Sequence, residues 1–172
     1  MKLLFSLARI GVLLLFSAAT FAQSDDDNLD SASVQFADAL DKVFSTKVYM
    51  DLDTTVFSTK QGNFYLAEAD NAMIMTMVVP QSFAKAEEDF DKETKKDGYK
   101  MLEKKKFVHN GKNIAYQKGM MKKKGKKLVM YLYAIEQSKE QTIFFTGMHM
   151  DGDEGKFFPL IERAALSAKL EK

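Results

Sequence analysis

The sequence predicts an α+β domain, an antiparallel sheet with a crossover helix and a C-terminal helix packed on it. Three observations carry that prediction. Apolar and polar residues alternate along a series of short stretches, the signature of half-buried strands. Two other stretches, from Ser82 to Asp97 and from about Gly155 onward, carry apolar residues at helical spacing instead. Asn110-Gly111 lies between two alternating stretches, and both residues tolerate the positive φ that a tight type I′ hairpin turn requires.

Lys2 and Arg9 open the chain, Ile10 to Phe16 are mostly apolar, and small residues lead to Ala22. This order is that of a secretory signal peptide (1–22) with the cut expected after Ala22, and it is short of the roughly 20 apolar residues of a membrane span. The mature chain is therefore expected to be periplasmic or secreted, with no transmembrane segment. Gln23 to Asn28 begins an acidic leader (23–32), expected to be disordered, and a single α+β domain is expected over 33–172. That domain is long enough to bury a core without staples. Cysteine is absent, which excludes disulfides, zinc–thiolate sites and thiol catalysis. Losing Lys2 and Arg9 takes the 25 basic residues to 23 against 24 acidic ones, so global charge selects neither nucleic acid nor membrane.

Within the domain, Val34, Ala37, Leu40 and Phe44 behind Ser33 predict a short amphipathic helix against the sheet edge. Lys47 to Leu52 reads as a strand with Val48, Met50 and Leu52 on one face, and Val56 to Thr59 as a second strand. Asn63 to Val79 contains a predicted hairpin, Phe64–Leu66 with Ala72–Val79, whose second arm is the most apolar stretch of the domain and is expected to be the central strand. Ser82 caps the crossover helix, which places Phe83, Ala86 and Phe90 on one stripe and ends at Gly98. Strands over Tyr99–His109, Lys112–Met121, Lys127–Gln137 and Thr142–His149 then form a meander. The last helix buries Phe157, Leu160, Ile161, Ala164, Ala165 and Ala168, with Pro159 tolerated in its first turn.

This order resembles the PsbP-like α/β/α sandwich superfamily over about residues 45–170. The resemblance rests on Met50-Asp51-Leu52-Asp53, Asn63-Phe64-Tyr65-Leu66, the Met73–Val79 strand leading into a helix, and the final Phe157-Phe158-Pro159-Leu160-Ile161 helix. Asp53 and Thr54 stand where the superfamily often has proline and an aromatic. The resemblance implies a non-catalytic binding or chaperone-like domain with a protein partner, and it carries over no catalytic residue.

Two constellations are candidate sites. Met73, Met75 and Met77 alternate and project from one face of a strand, and soft thioethers suit Cu(I). The alternative is that they fill the core, methionine's commoner role. Met148 and Met150 share a strand face while His149 must point to the other, so a copper site would need methionines from adjacent strands. Lys122, Lys123, Lys124, Lys126 and Lys127 surround Gly125 at one hairpin tip, with Lys104 to Lys106 on the preceding strand. Such a tip suits an anionic surface, or is a solvated edge that resists aggregation. It lacks the aromatic residues that would stack on bases.

Asp151-Gly152-Asp153-Glu154 is loop-like, but Lys156 stands where a calcium loop needs its glycine. Only His109 and His149 could serve as near-neutral bases, no catalytic or phosphate-binding motif occurs, and the Glu87–Asp91 carboxylates face solvent beside lysines. The sequence therefore reads as a non-enzymatic protein without a cofactor. Its expected role is binding a protein partner, with soft-metal binding or anionic-surface docking as the alternatives.

Overall fold

A computed structural model describes residues 46–67, 72–93, 99–123 and 125–170. The chain divides into Met1–Val43 and Phe44–Lys172, and every described residue belongs to the second unit. The expected signal peptide and acidic leader, the helix expected from Ser33 and the helix stop expected at Gly98 lie outside the described residues.

The elements are β1 (Val48–Tyr49), β2 (Thr59–Gln61), β3 (Phe64–Ala67), β4 (Ala72–Val79), α1 (Phe83–Glu93), β5 (Tyr99–His109), β6 (Lys112–Lys123), β7 (Lys126–Ser138), β8 (Gln141–Met150), α2 (Glu154–Ser167) and β9 (Lys169–Leu170). Seven strands pair antiparallel in the order β2-β3-β4-β8-β7-β6-β5. The meander forms as predicted, and its first turn has Asn110 at φ 51° and Gly111 at φ 75°, both in the left-handed region of a type I′ turn. Helix α1 carries the chain from β4 to the far edge, where β5 begins, so the crossover role holds. Ser82 stands at its start, its backbone carbonyl accepting from the Ala86 N–H at 2.9 Å and its hydroxyl from the Lys85 N–H at 3.4 Å.

Three expectations need correction. β8 holds the centre of the sheet, with β4 beside it between β3 and β8. The expected strand Lys47–Leu52 shrinks to Val48–Tyr49, which pairs with β9 in a separate two-stranded sheet, Val48 opposite Leu170 and Tyr49 opposite Lys169. Its burial pattern survives, since Val48 and Met50 are buried and Leu52 packs on the same core. The expected strand Val56–Thr59 is mostly a turn because Asp53 captures the local backbone. The Asp53 carboxylate accepts from the Thr55 N–H at 3.0 Å and the Thr55 hydroxyl at 2.6 Å, and the Asp53 carbonyl accepts from the Phe57 N–H at 2.9 Å. The same hydroxyl and amide bonds hold the Asp53 carboxyl below its usual range.

The helices cover opposite faces, giving an α/β/α sandwich. On one face α2 buries Phe157, Ile161, Ala164 and Ala165 against Ile74, Ile143, Phe145, Tyr131 and Tyr133. There Gly147 permits close approach, since a Cβ at that position would collide with Cγ2 of Ile161. On the other face Phe90 of α1 stacks on Phe144 with centroids 5.8 Å apart, and Phe83 packs with Ala115 and Ala134. This second face also carries most of the methionines.

Candidate functional site

Strand register decides which methionines meet. Met73 on β4 lies directly opposite Met148 on β8, and Met148 lies directly opposite Met130 on β7. Directly opposed residues of antiparallel strands share a face, with Cβ atoms about 4.5–5.5 Å apart. The row continues to Gly119 on β6 and Met101 on β5. The Tyr99 ring fills the space above Gly119, where a Cβ would collide with it. Burial of that ring pushes the Tyr99 hydroxyl up to about 12.

Met73, Met75 and Met77 share a face, as their alternation requires, but not an environment. Met75 and Met77 are 2% and 4% exposed, whereas Met73 is half-buried. Met130 is buried and Met148 half-buried. The structure thus puts Met73 beside Met148 and Met148 beside Met130, in one row across three strands. Met148 was legible as part of Met148-His149-Met150, but Met130 has no local signal beyond an alternating strand. Among the described residues no group of three or more His, Asp or Glu side chains is arranged to hold a metal ion.

His149 points to the opposite face, as period-two geometry demands, and is fully enclosed. Its Nδ1 is 2.7 Å from the Met150 carbonyl, which only accepts, so Nδ1 bears the proton and Nε2 accepts from the Tyr131 hydroxyl at 3.0 Å. Phe157 stacks on the imidazole with centroids 5.9 Å apart, and Phe158 packs at a tilt on Tyr131 at 4.9 Å. This pair is an internal strut of the sheet–α2 core. Burial raises the Tyr116, Tyr131 and Tyr133 hydroxyls, with acidic neighbours and other tyrosines adding to it.

The lysines divide by role. Lys104 and Lys106 reach the Asp91 and Glu87 carboxylates of α1 at 2.5 and 2.6 Å, while Lys105 extends to the other face, 4.6 Å from the centre of the Tyr116 ring. These three hold the edge strand to the body. At the β6–β7 tip Lys122 is opposite Lys127 and Lys123 opposite Lys126, with Lys122, Lys126 and Lys127 exposed. Lys127 is 3.6 Å from the Asp151 carboxylate. Lys124 lies outside the described residues. β5 ends the sheet order, and along it Met101, Leu102 and Val108 are 41%, 46% and 67% exposed. No helix among the described residues is long and apolar enough to cross a membrane.

No family model matches the sequence, and no curated protein matches it significantly. Solved structures do match. The crystal structure of LpqN of Mycobacterium tuberculosis, described as involved in cell envelope biogenesis, shares 11% identity and a TM-score of 0.53 over 74% of this chain and 86% of its own. PA94 of Pseudomonas aeruginosa, a protein of unknown function, gives 12% and 0.51 over 85% and 88%. The solution structure of the cyanobacterial PsbP protein CyanoP of Synechocystis sp. PCC 6803 gives 6% and 0.46 over 88% and 99%. At these identities the likeness is one of fold. At the level of fold the α+β class read in the sequence holds, and LpqN and PA94 share the architecture.

Proposed function

We propose that the chain is a periplasmic or secreted, non-catalytic binding domain that takes a protein partner along the β5 edge. The observation that carries this reading is the edge itself. β5 is eleven residues long, terminates the sheet order, and exposes Met101, Leu102 and Val108 among lysines. An end strand presents unpaired backbone groups that a partner's extended segment can pair with, and exposed apolar side chains add contact area. The bulge between Met101 and Glu103 limits indiscriminate pairing, and lysine charge favours an acidic segment. The envelope role described for LpqN supports the compartment, and the N-terminal residue of the mature chain tests it, Gln23 being expected. The enclosure of His149 supports the non-catalytic reading.

A photo-crosslinking side chain placed in turn at Leu102, Val108 and Gln61 in the source cell tests the interface. Gln61 lies on β2 at the opposite sheet edge. A discrete adduct from Leu102 and Val108 but not from Gln61 is expected, and equal labelling from both edges sinks the reading.

Docking on an anionic surface is a second reading, favoured by Lys122 facing Lys127 at the tip. Like charges directly opposed across a strand pair destabilise it, and a bound anion would relieve them. Sedimentation with anionic liposomes decides it: binding must weaken with salt and with Lys126→Glu.

A further inference from the structure

We infer that Met73, Met148 and Met130 form a binding site for one soft monovalent cation of the Cu(I) class. Three features carry this. The residues sit abreast on three consecutive strands, in register and on one face, so their thioethers start from Cβ atoms one strand spacing apart. Two strand spacings put the outer pair about 10 Å apart at the backbone. Three rotatable bonds per methionine let both outer sulfurs swing toward the middle one.

The surroundings suit the same ion. Thr146 and Leu132 flank the row on one side and Leu128 and Met150 on the other, so the neighbours on β7 and β8 supply no carboxylate or imidazole. His149 is excluded because it faces α2 and its Nδ1 is committed to the Met150 carbonyl. A neutral, sulfur-only donor set favours a soft singly charged ion over Zn(II), Mg(II) or Ca(II), which take imidazole, thiolate or oxygen ligands. Met130 lies at the buried end of the row while Met73 and Met148 are half-buried, so the ion would enter from their side. Met75 stands two residues from Met73 on the same face, about 7 Å along the strand and outside the row. Met77 is one step further and takes no part.

The test uses the mature chain with isotope-labelled methionine methyl groups, titrated with Ag(I) and, under reducing anaerobic conditions, with Cu(I). The Met73, Met130 and Met148 methyl signals are expected to move together and saturate at one equivalent, with Met101 and Met77 still. Zn(II) is expected to leave all of them in place. Met148→Leu keeps the volume and is expected to lower Ag(I) affinity at least about tenfold, the lower end of what even supporting groups of a metal site cost. If Met148→Leu does not fold, Met73→Leu carries the same expectation. Response confined to exposed Met101, saturation without the three signals moving, or unchanged affinity in the folded variant overturns the site.

Discussion

The tyrosines show how one hydroxyl can be structural and its neighbour dispensable. Tyr131 and Tyr133 are two residues apart on one strand, face the same helix and are both buried. Tyr131 donates to His149, whereas the Tyr133 hydroxyl has no hydrogen-bond partner among the described residues. Tyr131→Phe leaves a buried imidazole acceptor unpaired and is expected to cost about 1–3 kcal/mol; Tyr133→Phe removes an unpaired group and is expected to be neutral or stabilising. Urea denaturation of both variants checks the contrast, and equal losses would contradict it. The glycines behave similarly. Gly147→Ala drives a methyl into Ile161, a β-branched residue held in α2, and is expected to cost about 1–3 kcal/mol. Gly119→Ala meets only the far end of the Tyr99 ring, which can swing away, so its loss in thermal midpoint should be the smaller.

At the scale of elements, α1 is tied to the sheet by one residue more than by its charges. Asp91 accepts from Lys104 at 2.5 Å and from the buried Gln117 amide at 2.8 Å, while Glu87 accepts from Lys106 on the surface. Asp91→Ala strands a buried amide and is expected to cost about 1–3 kcal/mol. Glu87→Ala breaks a solvated pair and is expected to cost about 1 kcal/mol or less. A shared value in chemical denaturation would mean that Gln117 finds another partner. The meander strands were legible almost to the residue because period-two patterning and Asn110-Gly111 are local signals. Val56–Thr59 was not, since one carboxylate at Asp53 outcompeted an alternating pattern, and β1 was not, since its partner β9 lies at the other end of the domain.

For the whole molecule, the buried tyrosines set an alkaline limit. Burial raises the hydroxyls of Tyr99, Tyr116, Tyr131 and Tyr133 in the folded state, Tyr99 to about 12. Unfolded tyrosines ionise near pH 10. Both states keep their protons at neutral pH, so these groups leave stability unchanged there. Above about pH 10 the unfolded chain releases protons that the folded one retains, and stability falls as pH rises. Tyrosinate absorbance and far-UV circular dichroism are therefore expected to change together. Ionisation of these four side chains with the fold intact near pH 11 would show that they are not enclosed.

The sequence by itself determined the α+β class, the meander, the two sheet-covering helices, the shared face of Met73, Met75 and Met77, and the separation of His149 from Met148. Each follows from a local periodicity or a turn residue. Only the tertiary structure decided that β8 is central, that β1 joins β9, that Met75 and Met77 are interior, and that Met73, Met148 and Met130 line up in one row. Those facts depend on strand order and register between segments many residues apart. Nothing along one strand encodes which strand will lie beside it.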